Sequence, residues 1–182
     1  QSRVVVGFGE AYTPRIEYRI HLLLSEAMTP GGRYIIFLPQ MDMRTPRFSF
    51  LPDVTSPSIQ VNQVGYLPQA TKRAYAGNWL GTAGPMPVDQ LGFTVNDSKS
   101  GKNVFHGQLE LVSENDPWSG NRVYRADFSA LSTRGSYFLS IPGLGRSYRF
   151  VIESEVFKPL YQTTFRLRSE EHTSELQSPC NL

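Results

Sequence analysis

The chain is nearly free of cysteine: one residue, Cys180, in 182. Up to that point no disulfide can form, no thiolate nucleophile is available and no Cys-based zinc site can be built. Cysteine-poor domains occur on both sides of the membrane, so this leaves the compartment open. Long apolar runs are also missing. Leu22 to Leu24 is far too short to span a bilayer, so no membrane is expected as a partner. Charge of one sign is scarce as well. The formal net charge is +2 and no Lys/Arg run occurs, so nucleic acid is not an expected partner. His21 and His106 stand far apart and form no ligand set, so no metal and no cofactor is expected. Gly7-x-Gly9 lacks the third glycine and the following helix of a dinucleotide fingerprint.

Proline (13) and glycine (15) are plentiful instead, with 40% hydrophobic and 19% charged residues. That is a globular composition rich in turns, as in an all-β protein. The chain opens at Gln1 without Met or signal peptide, a start expected to be a processing or sequencing boundary. Arg168 to Ser178 resembles the translation of a DNA sequencing adapter. Residues 168–182 are therefore expected to be an artefactual or disordered tail. Setting it aside removes Arg168 and three glutamates and leaves the body more basic.

Tyr18, Ile20, Leu22 and Leu24 alternate with Arg19 and His21 at strand period. Thr29-Pro30-Gly31-Gly32 is a turn cluster, and Arg33 to Leu38 is β-rich. Met28, Pro30, Gly31 and Tyr34 resemble the tyrosine corner of fibronectin type III domains, where the phenol bonds backbone a few residues upstream. Phe48, Phe50 and Leu51 suit a last strand. Residues 1–51 are thus expected to be the C-terminal part of a fibronectin III-like β-sandwich, and 52–57 a linker.

Six segments follow at sandwich spacing: Ile59–Val64, Lys72–Asn78, Phe93–Asp97 with Asn103–His106, Gln108–Ser113, Arg122–Phe128, and Ser136–Ile141 paired with Ser147–Ile152. Asp97 to Gly101 and Pro142 to Gly145 read as hairpin loops. Gly135-Ser136-Tyr137 fits a second tyrosine corner, and Leu139 stands where an antibody domain carries its second Cys. Tyr148, Phe150 and Ile152 are expected on the buried face of the last strand. Residues 58–153 are expected to be an Ig-like β-sandwich. After it the period becomes helical: Val156, Leu160, Thr164 and Leu167 share one face, Phe157, Tyr161 and Phe165 another. Pro159 suits a first turn, so a short helix stump, apolar on both faces, should begin near Lys158 and occupy 154–167.

Ile59-Gln-Val-Asn-Gln-Val-Gly-Tyr-Leu-Pro68 resembles the opening strand of the N-terminal Ig-like domain of glycoside hydrolase family 9 enzymes, I-x-V-N-Q-x-G-Y-x-P, with Lys72-Arg-Ala74 matching its K-x-A motif. Val123 to Ser129, Gly135-x-Tyr137 and Ser147-Tyr-x-Phe150 continue the likeness. The resemblance implies an accessory domain that supports an (α/α)6 catalytic barrel. That barrel hydrolyses β-1,4-glucans by inversion, with a general-acid Glu and a carboxylate base about 6.5–9.5 Å apart. It also implies an extracellular or periplasmic setting. Both carboxylates belong to the barrel, so no catalytic residue carries over. The helix from Lys158 would be the barrel's first.

Candidate sugar or interdomain contacts are Trp79, Trp118, Asn62, Gln63 and Tyr66. Either tryptophan could stack on a sugar ring or pack in a core or interface. Asn62 and Gln63 could bind ligand through their amides, but a structural role near the Gly65-Tyr66 turn is favoured. Asp116, Asp127, Glu110 and Glu114 read as solvated turns and edges rather than an acid pair. The alternatives are an independent carbohydrate-binding module, with β-glucan as partner, and an adhesion repeat.

Overall fold

The computed structural model describes residues 2–8, 14–19, 21–22, 24–37 and 46–175, with the backbone alone for 2–8, 14–19 and 167–175. The first part of the chain forms two separate hairpins. β1 (Ser2–Phe8) pairs antiparallel with β2 (Pro14–Arg19), and β3 (Arg33–Ile35) with β4 (Arg47–Ser49). The strand expected over Tyr18–Leu24 covers only its first two residues. His21, Leu22 and Leu24 lie outside strands, while Ile20 and Leu23 fall outside the described residues. Among the described residues no strand is paired with His21, Leu22 or Leu24. The Tyr34 corner is present: its hydroxyl accepts the Thr29 N–H at 2.6 Å, and its ring stacks on Phe48.

The second part is a two-layer sandwich. One sheet holds β7 (Gly92–Asp97), β10 (Gly135–Ile141), β11 (Gly145–Arg146) and β12 (Phe150–Ile152). The other holds β5 (Ile59–Gln60), β6 (Arg73–Ala76) and β9 (Val123–Asp127). The strand β8 (Asn103–Ser113) belongs to both. Its first half pairs with β7 and its second half with β9. Sequence reading splits this stretch in two, because Gly107 interrupts the pattern. The glycine instead marks the place where one strand crosses between sheets. The Phe93 ring lies over it, where a β-carbon would be 2.6 Å from a ring atom.

The alternating positions face inward as strand geometry requires. Phe93 and Val95, Tyr137, Leu139 and Ile141, and Phe150 and Ile152 come from one sheet. Ile59, Ala74, Ala76, Leu109, Tyr124 and Ala126 come from the other. The alanines leave room for an aromatic cluster. Tyr66 meets Phe128 and Phe150 edge-on at 5.3 and 5.4 Å, and Tyr137 lies against Phe150. Such pairs add about 0.5–1.5 kcal/mol each beyond burial.

Two details depart from the sequence reading. Tyr148 is exposed rather than inward. Ser147 is buried and inserts its hydroxyl into the ladder, accepting the Leu139 N–H at 3.0 Å and donating to the Tyr148 carbonyl. This breaks the alternation between β11 and β12. The joint before Ile59 is also bonded along its length. The Arg146 N–H donates to Val54, the Ser56 N–H donates to Arg146, and Thr55 bridges Arg146 in parallel. An otherwise open sheet edge is thereby covered.

α1 (Lys158–Glu175) begins at the expected residue. It runs past Leu167 into the segment read as a disordered tail. Arg168-Ser-Glu-Glu contains no Gly or Pro and consists largely of good helix formers, so nothing local stops the helix there.

Candidate functional site

The N-Q-x-G-Y element is a tightly bonded turn. Asn62 Oδ1 accepts the Val64 N–H and Nδ2 donates to the Gly65 carbonyl at 2.8 Å, closing an Asx-type turn. The Tyr66 hydroxyl accepts the Asn62 N–H at 2.9 Å and donates to the Arg73 carbonyl at 2.7 Å. Burial pushes the Tyr66 phenol above its ordinary value. Gly65 has φ 117°, and a β-carbon there would be 2.6 Å from the Val151 carbonyl, so only glycine fits. Asn62 and Tyr66 are therefore committed to the fold. Gln63 differs: it is exposed and lines a shallow hollow with Thr55, Arg146 and Tyr148.

Lys72 follows this turn and is fully buried. Its ammonium donates to the Pro68 and Ala70 carbonyls, both at 2.8 Å. Burial lowers its pKa, and Asp127 partly opposes this. Sequence reading finds this lysine only as a motif match. Nothing in its own type signals burial, since lysine is among the residues least often found inside.

Trp79 and Trp118 lie at the far end of β6 from Asn62 and Tyr66, so the structure does not unite the two groups. Register sets Ala76 against Ile59, which sends Trp79 away from residues 62–66. The Trp79 ring packs over Gly120, in the loop that carries Trp118, with ring atoms from 3.2 Å of its β-carbon position. Trp79 is 44% exposed and Trp118 94% exposed.

The Trp118 loop is a closely bonded turn. Asp116 Oδ1 accepts the Trp118 N–H, the Ser119 N–H and the Ser119 hydroxyl, and the Gly120 N–H returns to the Asp116 carbonyl. These bonds, the Ser119 side chain first, hold the Asp116 carboxyl below its usual range. Asp127 is lowered in the same way, chiefly by Ser129. Glu110 and Glu114 are tied to Arg125 and Arg122 at the surface. The four carboxylates are thus dispersed partners of turns and ion pairs.

A third surface lies beside the helix. Val64, Val151, Val156, Pro159 and Leu160 line an open groove of about 540 Å³ between the sandwich and the start of α1. Leu160 is half exposed there, and Phe157 and Tyr161, which do not line the groove, are exposed in the same stretch of chain.

A family model described as the cellulase N-terminal Ig-like domain matches residues 54–146. The chain belongs to this family. Its match begins at Val54, inside the joint that is bonded to β11. Endoglucanase D of Acetivibrio thermocellus is 29% identical over 92 residues, covering 42% of this chain and 14% of that protein. The chain thus spans about one seventh of the curated relatives it matches. Among solved structures, a family 9 glycoside hydrolase of Bacteroides ovatus is 32% identical with a TM-score of 0.46, covering 57% of this chain and 17% of that one. A metagenome-derived family 9 endoglucanase is 37% identical with a TM-score of 0.46, covering 52% and 17%. In this cellulase Ig-like domain the specific I-x-V-N-Q-x-G-Y stretch builds the turn that seats Tyr66 between two backbone groups.

Proposed function

We propose that this Ig-like domain is a non-catalytic accessory unit that supports and orients the catalytic barrel of a family 9 endoglucanase. The parent enzyme would degrade β-glucan outside the cytoplasm, in an extracellular or periplasmic setting. The observation that carries this reading is the apolar groove beside α1. Val64 and Val151 come from the sandwich, 39% and 38% exposed, and Leu160 from the helix, 51% exposed. Contiguous exposed apolar surface of this kind marks an interaction site. A partner packed there would fix domain geometry through burial, without chemistry of its own. Family membership supports the same reading.

The test is a deletion. The parent gene is expressed with and without the sandwich, and the barrel's melting temperature and activity on carboxymethylcellulose are measured. The expected result is a fall of several degrees and lower activity on deletion, reproduced by Leu160→Asp. A barrel equally stable and active without the sandwich overturns the proposal.

A further inference from the structure

Alternation along Tyr148, Phe150 and Ile152 would bury all three, yet the fold turns Tyr148 to water, 51% exposed. Ser147 does this. Its hydroxyl accepts the Leu139 N–H and donates to the Tyr148 carbonyl, which takes one position out of the strand period. Departures of a chain from its own local pattern are expected at functional or strained sites. Tyr148 here lines a hollow of about 340 Å³ together with Thr55, Gln63, Phe138, Arg146 and Arg149.

The hollow collects polar groups that the fold does not use. Among the described residues, the Thr55 hydroxyl, the Gln63 amide, the Tyr148 hydroxyl and the Arg149 guanidinium have no hydrogen bond or ion pair. Arg146 is set in place beside them. Its N–H donates to Val54, its carbonyl accepts the Ser56 N–H, and its guanidinium lies 5.2 Å from the centre of the Phe138 ring. Asp53 reaches it only at 3.8 Å, with 63% of the carboxylate side chain in water, an ion pair of little worth. The lining therefore holds two arginines and no acid.

The geometry points to a binding site for an acidic sugar in this hollow, with the carboxylate of a hexuronate held by Arg146 and Arg149 and its ring against Tyr148. A guanidinium presents N–H donors in a plane that matches a carboxylate. The tyrosine ring offers an apolar face to the C–H groups of a pyranose. The Gln63 amide and the Thr55 and Tyr148 hydroxyls both donate to and accept from sugar hydroxyls. A bare anion would leave the amide, the hydroxyls and the aromatic face unused. A neutral sugar would leave both guanidiniums unused. A ring that carries a carboxylate and hydroxyls together engages all of them. The volume is near the lower bound for small-molecule pockets, which suits one sugar unit rather than a long chain. The hollow shares no lining residue with the groove beside α1. It can therefore fail without touching the accessory reading, and the reverse also holds.

The test uses the full 182-residue chain, labelled with ¹⁵N and titrated at constant ionic strength with D-glucuronate, D-glucose or acetate. Glucuronate is expected to shift the amides of Gln63, Tyr148 and Arg149 with saturation. Glucose, which has the ring without the charge, and acetate, which has the charge without the ring, are expected to shift them less. Arg149→Gln is expected to weaken glucuronate binding about tenfold, the loss of one charge-assisted contact. Its melting curve should not move, because the Arg149 side chain makes no hydrogen bond or ion pair within the fold. Asp53→Asn frees the Arg146 guanidinium from its carboxylate neighbour and is expected to tighten binding. Four outcomes overturn the assignment: no saturable shift with glucuronate, an equal response to acetate or to glucose, binding that survives Arg149→Gln unchanged, or weaker binding in Asp53→Asn.

Discussion

The Lys72 ammonium ends 2.8 Å from the carbonyl of Pro68, inside the protein and, among the described residues, without an ion-paired carboxylate. It holds together the turn that leads into β6, since it also reaches Ala70. Lys72→Met keeps most of the stem and leaves both acceptors bare. Each unpaired buried acceptor costs about 1–3 kcal/mol, so the variant is expected to unfold at clearly lower urea. The pH profile adds a second readout. Burial lowers the lysine pKa in the folded state, so between that value and the ordinary lysine range the unfolded chain binds the extra proton. Stability of the wild type should therefore rise with pH in that window relative to Lys72→Met. A flat difference would show that the ammonium is not desolvated.

The Tyr137 hydroxyl donates to the Thr133 carbonyl at 3.1 Å, four residues upstream. Tyr137→Phe is expected to cost about 0.5–1.5 kcal/mol, because the ring stays and one bond is lost. Leu139→Ala, at a fully buried position, is expected to cost about 2–5 kcal/mol. Gly135→Ala would place a methyl 2.7 Å from the phenol oxygen and force the ring out, costing about 1–3 kcal/mol. Urea unfolding of all three variants checks the order.

Asp97, Asp116, Asp127 and Glu153 all have lowered pKa values, caused mainly by bonds to Ser100, Ser119, Ser129 and Ser154. A lowered folded value means stability that is complete above the unfolded value and is lost as pH falls through the folded one. Thermal stability should be flat from neutral pH down to about pH 5 and fall below about pH 4. Asp127→Asn should flatten that fall. An acid transition centred near pH 6 would contradict the assignment.

The same depressed carboxyls bear on chemistry. A general acid must hold its proton at working pH, and Asp116 and Asp127 are pushed the wrong way. The purified chain should release no reducing sugar from carboxymethylcellulose above a heat-killed control.

α1 leaves Leu160, Tyr161 and neighbouring side chains largely in water. Truncation after Leu167 should therefore leave the sandwich's melting temperature unchanged by calorimetry. A drop of several degrees would show that residues beyond Leu167 pack.

Much of the sandwich is legible in sequence because strand alternation is a local signal. Phe93 with Val95, and Tyr137 with Leu139, declare their faces without help from the rest of the chain. Both tyrosine corners are legible for a similar reason, since glycine two residues before the tyrosine leaves room for the ring. The errors fall where a distant group intervenes. Ser147 turns Tyr148 outward only because Leu139 is there to bond, and β8 is one strand only because two sheets compete for it. The candidate site was half visible. Trp79 and Trp118 stand out by type. Lys72 joins the turn at Asn62 and Tyr66 only through its bonds to the Pro68 and Ala70 carbonyls, which its residue type does not announce.

The parallel pairings have a mechanical consequence. The segment around Thr55 runs alongside Arg146, and Tyr66 alongside Ile152, through four backbone bonds of 2.8 to 3.0 Å. Each pairing joins an early stretch of the domain to a late one, running in the same direction. A tension applied between residue 52 and residue 154 therefore loads these bonds along the strand axis, several at once, instead of peeling them apart singly. The joint behaves as a shear clamp, and because Tyr66 also packs on Phe128 and Phe150, the same pairing ties the clamp to the aromatic core.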